Sequence, residues 1–370
     1  MKIVCNRTIL MDGITTVQKA VASKSTNPIL ECILLEVDDT FVMTASDLSL
    51  GIKQFIPSVI LDKGALAINS RMFGDIVRKF TGEDISIESV NEGEVILECE
   101  GTVVNMRCLP ADNFPAIEMF ESDKEITIPQ NIIRETVSQV FFAVGKDDFK
   151  PILSGILLEK DGFYLNFVAI DGMRIALRKF ILTEENAEKE NFKLVVPGTV
   201  FNEISKIMMP TDDPVRIKFT EKQIMFEMDD CTIVSRLLDG EYFNYKAAIP
   251  DNFSTNIIVN REHLLNSMEM ALTVTMSERR FPVRFSINND MLTISSTTDN
   301  NAFKDVIEVA MDGDPLEIGF NPRYYQEALK TIEDESIKIC FTSNIGPCVI
   351  KSIDNDNYIY MILPLKLKEE

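Results

Sequence analysis

Positions spaced four, three and four residues apart, apolar in all but the last case, recur three times: Leu10, Ile14, Val17 and Val21; Ile133, Val137, Val140 and Val144; Leu264, Met268, Ala271 and Thr275. That spacing is one face of an α-helix, so each run predicts an amphipathic helix. A proline stands 18 residues after the first position of every run, at Pro28, Pro151 and Pro282. Extended segments are expected behind it, over Ile29 to Val37, Ile152 to Glu159 and Val283 to Ile287. Turn residues then lead into another strand: Asp38-Asp39, Asp161-Gly162 and Asn288-Asn289-Asp290. A bend centred on Asp47, Asp171 or Asp299 follows, and after one more strand a second helix starts at Asn69-Ser70, Pro197-Gly198-Thr199 or Asn321-Pro322. Its apolar face is Phe73, Ile76 and Phe80, echoed by Phe201, Ile204 and Met208 and by Tyr325, Ala328 and Ile332. Each copy closes on a hairpin and a last strand that begin with alternating segments such as Ile85-Ser86-Ile87, Val215 to Phe219 and Ile337 to Phe341.

A period of about 125 residues is too long for a solenoid unit and has the size of a domain. The chain therefore reads as three tandem copies of one α+β domain, two helices packed on antiparallel sheets. The expected domains are residues 1–121, 126–248 and 250–370, with connectors at Leu109 to Pro115 and Leu237 to Phe243. A triplicated fold suits a surface or a ring, whereas an active site needs one special copy.

With 370 residues, 45% of them hydrophobic and 26% charged, the chain is expected to fold throughout. No run of about 18 uncharged apolar residues exists, so no membrane span is expected. The first seven residues, Met1 to Arg7, lack the apolar stretch of a signal peptide, and a cytoplasmic location follows. The seven cysteines form no CxxC pair and His263 is the sole histidine, so neither a metal site nor a cofactor is expected. Most of the cysteines lie among apolar residues and read as reduced, small hydrophobes.

The net charge of -21 argues against nucleic acid unless the two signs are separated in space. Residues 81–101 hold seven acids and no base, while the helix before them carries Arg71, Arg78 and Lys79 against Asp75. Bases mark the other helices or their ends: Arg7, Lys19, Lys24, Arg134, Lys146, Lys150, Lys206, Arg261, Arg279, Arg280, Arg323 and Lys330. They read either as scattered solvated charges or, if the helices share one space, as a basic lining within an acidic shell. Such a lining would hold a polyanion through its phosphates.

Catalysis finds no support in the residues, and no catalytic residue is assigned. There is no Gly-rich phosphate loop, no nucleophile elbow, and no histidine near a candidate nucleophile. Asp47, Asp171 and Asp299 recur once per repeat at the same bend, as turn or capping residues do. His263, beside Glu262 at a helix start, reads as a surface or capping residue.

In order and spacing the whole chain resembles the bacterial DNA polymerase III beta subunit, the sliding-clamp family. The resemblance rests on Pro28-Ile29-Leu30, Ala45-Ser46-Asp47-Leu48 and Cys108-Leu109-Pro110-Ala111-Asp112-Asn113-Phe114-Pro115 in the first repeat. It continues through Leu153-Ser154-Gly155, Ala169-Ile170-Asp171-Gly172-Met173-Arg174, Val195-Val196-Pro197 and Leu238-Asp239-Gly240. The third repeat adds Ile318-Gly319-Phe320-Asn321 and Met361-Ile362-Leu363-Pro364-Leu365.

The resemblance implies a head-to-tail homodimer closing a ring of six domains around duplex DNA. It implies a non-catalytic processivity subunit that tethers the polymerase III catalytic subunit, the clamp loader, other polymerases and repair proteins through short hydrophobic motifs. The implied peptide pocket comprises Leu153, Ile170, Gly172, Met173, Arg174, Ile175, Phe243, Ala247, Ala248, Met361, Ile362, Leu363, Pro364 and Leu365. Met173, Phe243 and Ala247 depart from common family choices (His, Pro and Arg), which bears on the peptide preferred. The implied DNA contacts are Lys24, Lys146 and Lys150, and Arg71, Arg78 and Lys79 join them on charge. The implied dimer contact sets Val104 and Met106 against Val274 and Thr275. The pocket residues would serve equally as the core of two adjoining domains. An acidic peptide-binding scaffold without DNA, or an enzyme with carboxylates at the domain junctions, are the competing readings.

Overall fold

The computed structural model describes residues 1–146, 150–275, 282–298 and 301–367. Asp147, Asp148, Phe149, Arg279, Arg280 and Asp299 lie outside these residues, as does the side chain of Thr275.

Each repeat contributes the expected pair of helices: Arg7–Val17 (α1) with Ser70–Lys79 (α2), Gln130–Val140 (α3) with Gly198–Ile207 (α4), and Arg261–Thr275 (α5) with Pro322–Leu329 (α6). Asparagine sets several of the starts. The Asn6 side chain accepts the N–H groups of Thr8 and Ile9, Asn69 that of Met72, Asn260 that of His263, and Asn321 that of Arg323. These are orphan donors of a first helical turn, and satisfying one is worth about 1 kcal/mol. On α1 the buried face is the expected one, Leu10, Ile14 and Val17. On α2 Phe73 is buried as expected, but Val77 is buried in place of Ile76, which is half-buried, and Phe80 lies just past the helix end. Gly74 lets the two helices meet: a Cβ there would lie 2.7 Å from the Gln18 amide, which donates to the Ser70 carbonyl at 2.9 Å.

Two expectations are corrected. Val21 and Val144 lie beyond their helices, because α1 and α3 give way to short 3-10 turns at Gln18–Ala20 and Phe141–Ala143. The segments behind Pro28 and Pro151 also begin as 3-10 turns, Pro28–Glu31 and Pro151–Ser154, before the strands start at Cys32 and Gly155. Proline's fixed φ suits the first residue of such a turn.

The chain divides into two compact units. One contains residues 1–130 and 206–237, the other 131–205 and 238–370. The first is built on a 13-stranded antiparallel sheet, the second on sheets of nine and four strands. The large sheets run across repeat boundaries. The strand after the Asp bend and the last strand are Leu50–Ile56 (β1) and Thr102–Pro110 (β2) in the first repeat, Arg174–Ile181 (β3) and Cys231–Arg236 (β4) in the second, and Ala302–Glu308 (β5) and Tyr358–Ile362 (β6) in the third. Within the first unit β4 pairs with β1, Ser235 opposite Leu50 and Cys231 opposite Gln54. Within the second unit β6 pairs with β3, Ile362 opposite Arg174 and Tyr358 opposite Arg178. The last strand of one repeat thus completes the sheet of the repeat before it.

Two strands of this set keep a free edge among the described residues. Over Thr102–Arg107, β2 pairs along one side alone, with Glu94–Cys99, and meets a second neighbour at Cys108–Pro110. β5 ends the four-stranded sheet and pairs with Met291–Thr297.

Candidate functional site

The seam between β3 and β6 gathers most of the expected pocket. β6 alternates, so Ile359, Met361 and Leu363 fall on one face and Tyr358, Tyr360 and Ile362 on the other. On the first face Met361 packs with Ile170, Ile175, Leu177, Leu157, Val168 and Tyr245 in one buried cluster. Leu153, Ile152, Tyr242, Ala248 and Leu363 are partly buried against it and leave an apolar face half open. The bend before β3 forms the lip. Gly172 has φ +88°, a left-handed conformation that glycine adopts without strain. Met173 offers its carbonyl to the Leu363 N–H at 2.9 Å.

The Asp residues act as turn formers. Asp47 Oδ1 accepts the N–H groups of Ser49 and Leu50, and Asp171 Oδ1 those of Met173 and Arg174. In the first unit the equivalent seam is filled differently. Gly51 stands on β1, and a Cβ there would lie 2.6 Å from Ile117, whose side chain occupies the space. What remains is a cavity of about 170 Å³ with Ser46, Ser49, Gln223, Ser235 and Arg236 among its walls.

Not every expected pocket residue joins the groove. Arg174 and Ile362 face the opposite side of the sheet, one residue out of phase with Ile175 and Met361. Pro364 and Leu365 turn toward the third repeat, where Leu365 N–H donates to Gly319 O at 2.8 Å. Gly319 permits this approach, since a Cβ there would lie 2.7 Å from the Leu365 carbonyl oxygen. Phe243 and Ala247 are exposed at the groove's margin, Phe243 at 52%.

The short helix Tyr245–Ala248 that carries Ala247 and Ala248 is anchored by groups the sequence did not single out. The Tyr245 hydroxyl donates to the Glu159 carboxylate, which is 2% exposed. Lys193 and Lys246 reach the same carboxylate at 3.0 and 3.1 Å, and Lys246 also holds Asp161 at 2.7 Å. Burial pushes the Glu159 carboxyl up, but hydrogen bonds from Tyr245, Lys193 and Lys246 outweigh it and hold the acid below its usual range. Burial and then the Glu159 carboxylate push the Tyr245 hydroxyl up, so it stays a donor. A depressed folded-state pKa stabilises above the unfolded value and loses that contribution as pH falls through the folded one. The anchor is therefore expected to persist below the ordinary glutamate pKa of about 4.3 and to fail in stronger acid. A pH titration of Tyr245–Ala248 amide exchange, compared with Glu159→Gln, measures this, and the variant should be loosened already at neutral pH.

Of the expected DNA contacts, Lys24, Arg71, Lys79, Lys146 and Lys150 are exposed, and Arg78 is exposed and paired with Asp75 at 3.2 Å. On α2 the bases occupy the face opposite the buried Phe73 and Val77. Two bases of the supposed lining have another task. Arg7 donates to the Gly82 carbonyl at 3.0 Å and Arg261 to that of Asp334 at 3.1 Å, each tying its helix to the residues after the next one. Gln130 stands at the same place in the second repeat and accepts the Met209 N–H at 2.9 Å. Val104 is half-buried and Met106 buried on β2, and Val274 is half-buried on α5.

One serine, histidine and aspartate come together, in the wrong order for a triad. Ser267 donates to Asp305, and His263 Nε2 lies 3.9 Å from that same carboxylate. The acid stands between the other two, so the imidazole cannot take the serine proton. All seven cysteines are buried and free, and burial raises Cys5 and Cys348 to about 12. Such thiols are inert at neutral pH. No helix among the described residues is long and apolar enough to cross a membrane.

Three α+β repeats whose ladders run from each repeat into the one before it, with an apolar groove at one seam, define a tandem clamp fold. Family profiles of the DNA polymerase III beta subunit match the chain in sequence, the N-terminal domain at residues 1–118, the central domain at 127–244 and the C-terminal domain at 246–366. The beta sliding clamp of Bacillus subtilis (strain 168) is 30% identical over 378 residues, spanning 99% of this chain and 100% of the relative. The crystal structure of the Bacillus subtilis DNA polymerase sliding clamp superposes with a TM-score of 0.95 at 30% identity, covering 100% of both chains. That of the Thermotoga maritima DNA polymerase III beta subunit gives 0.92 at 28% identity, covering 99% of this chain and 100% of the other. The chain belongs to the DNA polymerase III beta subunit family, the beta sliding clamps.

Proposed function

We propose that two copies of this chain close head to tail into a ring of six domains (1–121, 126–248 and 250–370 in each) that encircles duplex DNA. The ring tethers the replicative polymerase and other replication and repair proteins, and it has no chemistry of its own. The observation that carries the reading is the strand pairing of the repeats. β4 completes the first repeat and β6 the second. The remaining last strand, β2, and the remaining acceptor strand, β5, are the ones left with a free edge. A second copy supplies each with its partner, and two such contacts leave neither of these two edges open. Ring closure holds DNA by topology, so affinity can stay low and motion along the duplex fast. That suits a chain of net charge -21 with a modest set of exposed bases. The groove at the β3–β6 seam receives short hydrophobic motifs from the tethered proteins. A cytoplasmic location accords with seven free thiols.

Topology gives the test. Protein loaded on a nicked circle is expected to stay and to run off once the circle is cut. Equal retention on circle and line would remove encirclement and leave a peptide-binding scaffold. The phosphate contacts are tested separately. Lys24→Glu with Lys150→Glu is expected to lower loading and to flatten the salt dependence of binding by about two units of slope, roughly 0.9 per lost contact. An unchanged slope would take both lysines off the DNA face.

A further inference from the structure

We propose that Arg174 is a positioning residue, which fixes the lip of the groove through Asp171 and is itself held by Glu327 of α6, and that it makes no contact with a bound motif. The inference rests on the groove reading above and reassigns the one cation expected inside the groove.

The geometry leaves Arg174 nothing to offer a ligand. Its side chain is 8% exposed. Nε donates to Asp171 Oδ2 at 2.8 Å, and one terminal nitrogen donates to the Phe142 carbonyl at 2.6 Å. The other lies 2.6 Å from Glu327 Oε2, a close ion contact that falls off the hydrogen-bond line. The guanidinium also lies against two rings, Phe142 with its centroid at 5.1 Å and Tyr324 at 4.5 Å. A motif carboxylate would have to displace Glu327 or Asp171 to reach it. Both are largely covered, at 34% and 18% side-chain exposure.

The same contacts run outward to the groove. Asp171 uses one oxygen for Arg174 and the other for the N–H groups of Met173 and Arg174, which sets the bend at Gly172. The carbonyl of Met173 then receives the N–H of Leu363, whose side chain stands on the open side of the apolar cluster. Glu327 is one of two carboxylates on a buried cation, so removing its charge leaves Arg174 held by Asp171 alone and frees its outer nitrogen to move. The bend and Leu363 would follow.

The test uses the full-length protein with Glu327→Gln, which keeps the shape of the side chain. Two fluorescent peptides serve as probes, each with a leucine and a phenylalanine anchor, one with aspartate and one with asparagine between them. In the free protein, exchange of the Leu363 amide is expected to quicken about tenfold. Both peptides are expected to weaken by the same factor. Should the variant fail to fold, Arg174→Lys keeps the buried charge without the planar fork and is expected to show the same two effects. Unchanged exchange at Leu363, or a loss confined to the aspartate peptide, would overturn the proposal, the second by showing direct contact. If neither peptide binds the unaltered protein while Leu363 exchange still quickens in the variant, the groove reading fails and the positioning role stands.

Discussion

Replacing Val306 with proline is expected to convert a dimer of about 84 kDa, twice the 41.8 kDa chain, into monomer. Val306 lies in β5, and its N–H donates to the Asp305 side chain at 2.8 Å instead of to the neighbouring strand. That N–H therefore belongs to the free edge, where an incoming strand would bind. Proline removes it and places its ring in the way while sparing the ladder to Met291–Thr297. The acceptor left without its donor costs about 1–3 kcal/mol at each of two contacts, roughly a ten- to hundredfold step in dissociation constant at each. Val104→Asp on β2 should act in the same direction, because a carboxylate would be carried into the contact from the other side. Light scattering over a dilution series measures the shift. A Val306→Pro protein that stays dimeric at nanomolar concentration would move the interface away from β5. The helix end first expected to meet β2, Val274 and Thr275 on α5, would then be the place to look.

Much of this architecture was legible because it repeats. A four-three-four apolar run, a proline 18 residues on and an Asp bend give one repeat three times over, and each copy checks the others. The register between repeats was not legible, since nothing local says that Ser235 should lie opposite Leu50 or Ile362 opposite Arg174. That register decides which groove residues point in. Ile175 and Met361 do, whereas Arg174 and Ile362, their neighbours in sequence, point away. The polar anchors were hidden for a related reason. Glu159 and Lys160 look like the solvated end of a strand near a turn. Both are buried, at 2% and 1%, because their partners come from distant segments: Tyr245 and Lys246 for the acid, the carbonyls of Ala187 and Lys189 for the lysine. A charge buried with partners is invisible to a pattern of apolar periodicity.

The groove offers the sharpest test of partner recruitment, and the structure decides which residues to change. Deleting the chain from residue 361 would remove Met361 and Ile362, which are paired in the ladder to Ile175 and Arg174, and would disturb the sheet together with the groove. Leu153 and Leu363 suit the purpose better. Both are only partly buried, on the open side of the cluster, and neither belongs to the paired stretch of β3 and β6. Changing both to serine is expected to leave the fold and the dimer intact, since each exchange in the free protein occurs at a half-solvated site. In the bound state the same two side chains would be covered by the leucine and phenylalanine of a motif peptide. Losing that burial removes about 3 kcal/mol or more of apolar contact, a weakening of more than about a hundredfold. Peptide titration by fluorescence anisotropy, with sedimentation to confirm the dimer, measures both halves of the expectation. If the doubly substituted ring bound the peptide as tightly as the unaltered protein, partner motifs would have to dock elsewhere, and the β3–β6 seam would be core alone.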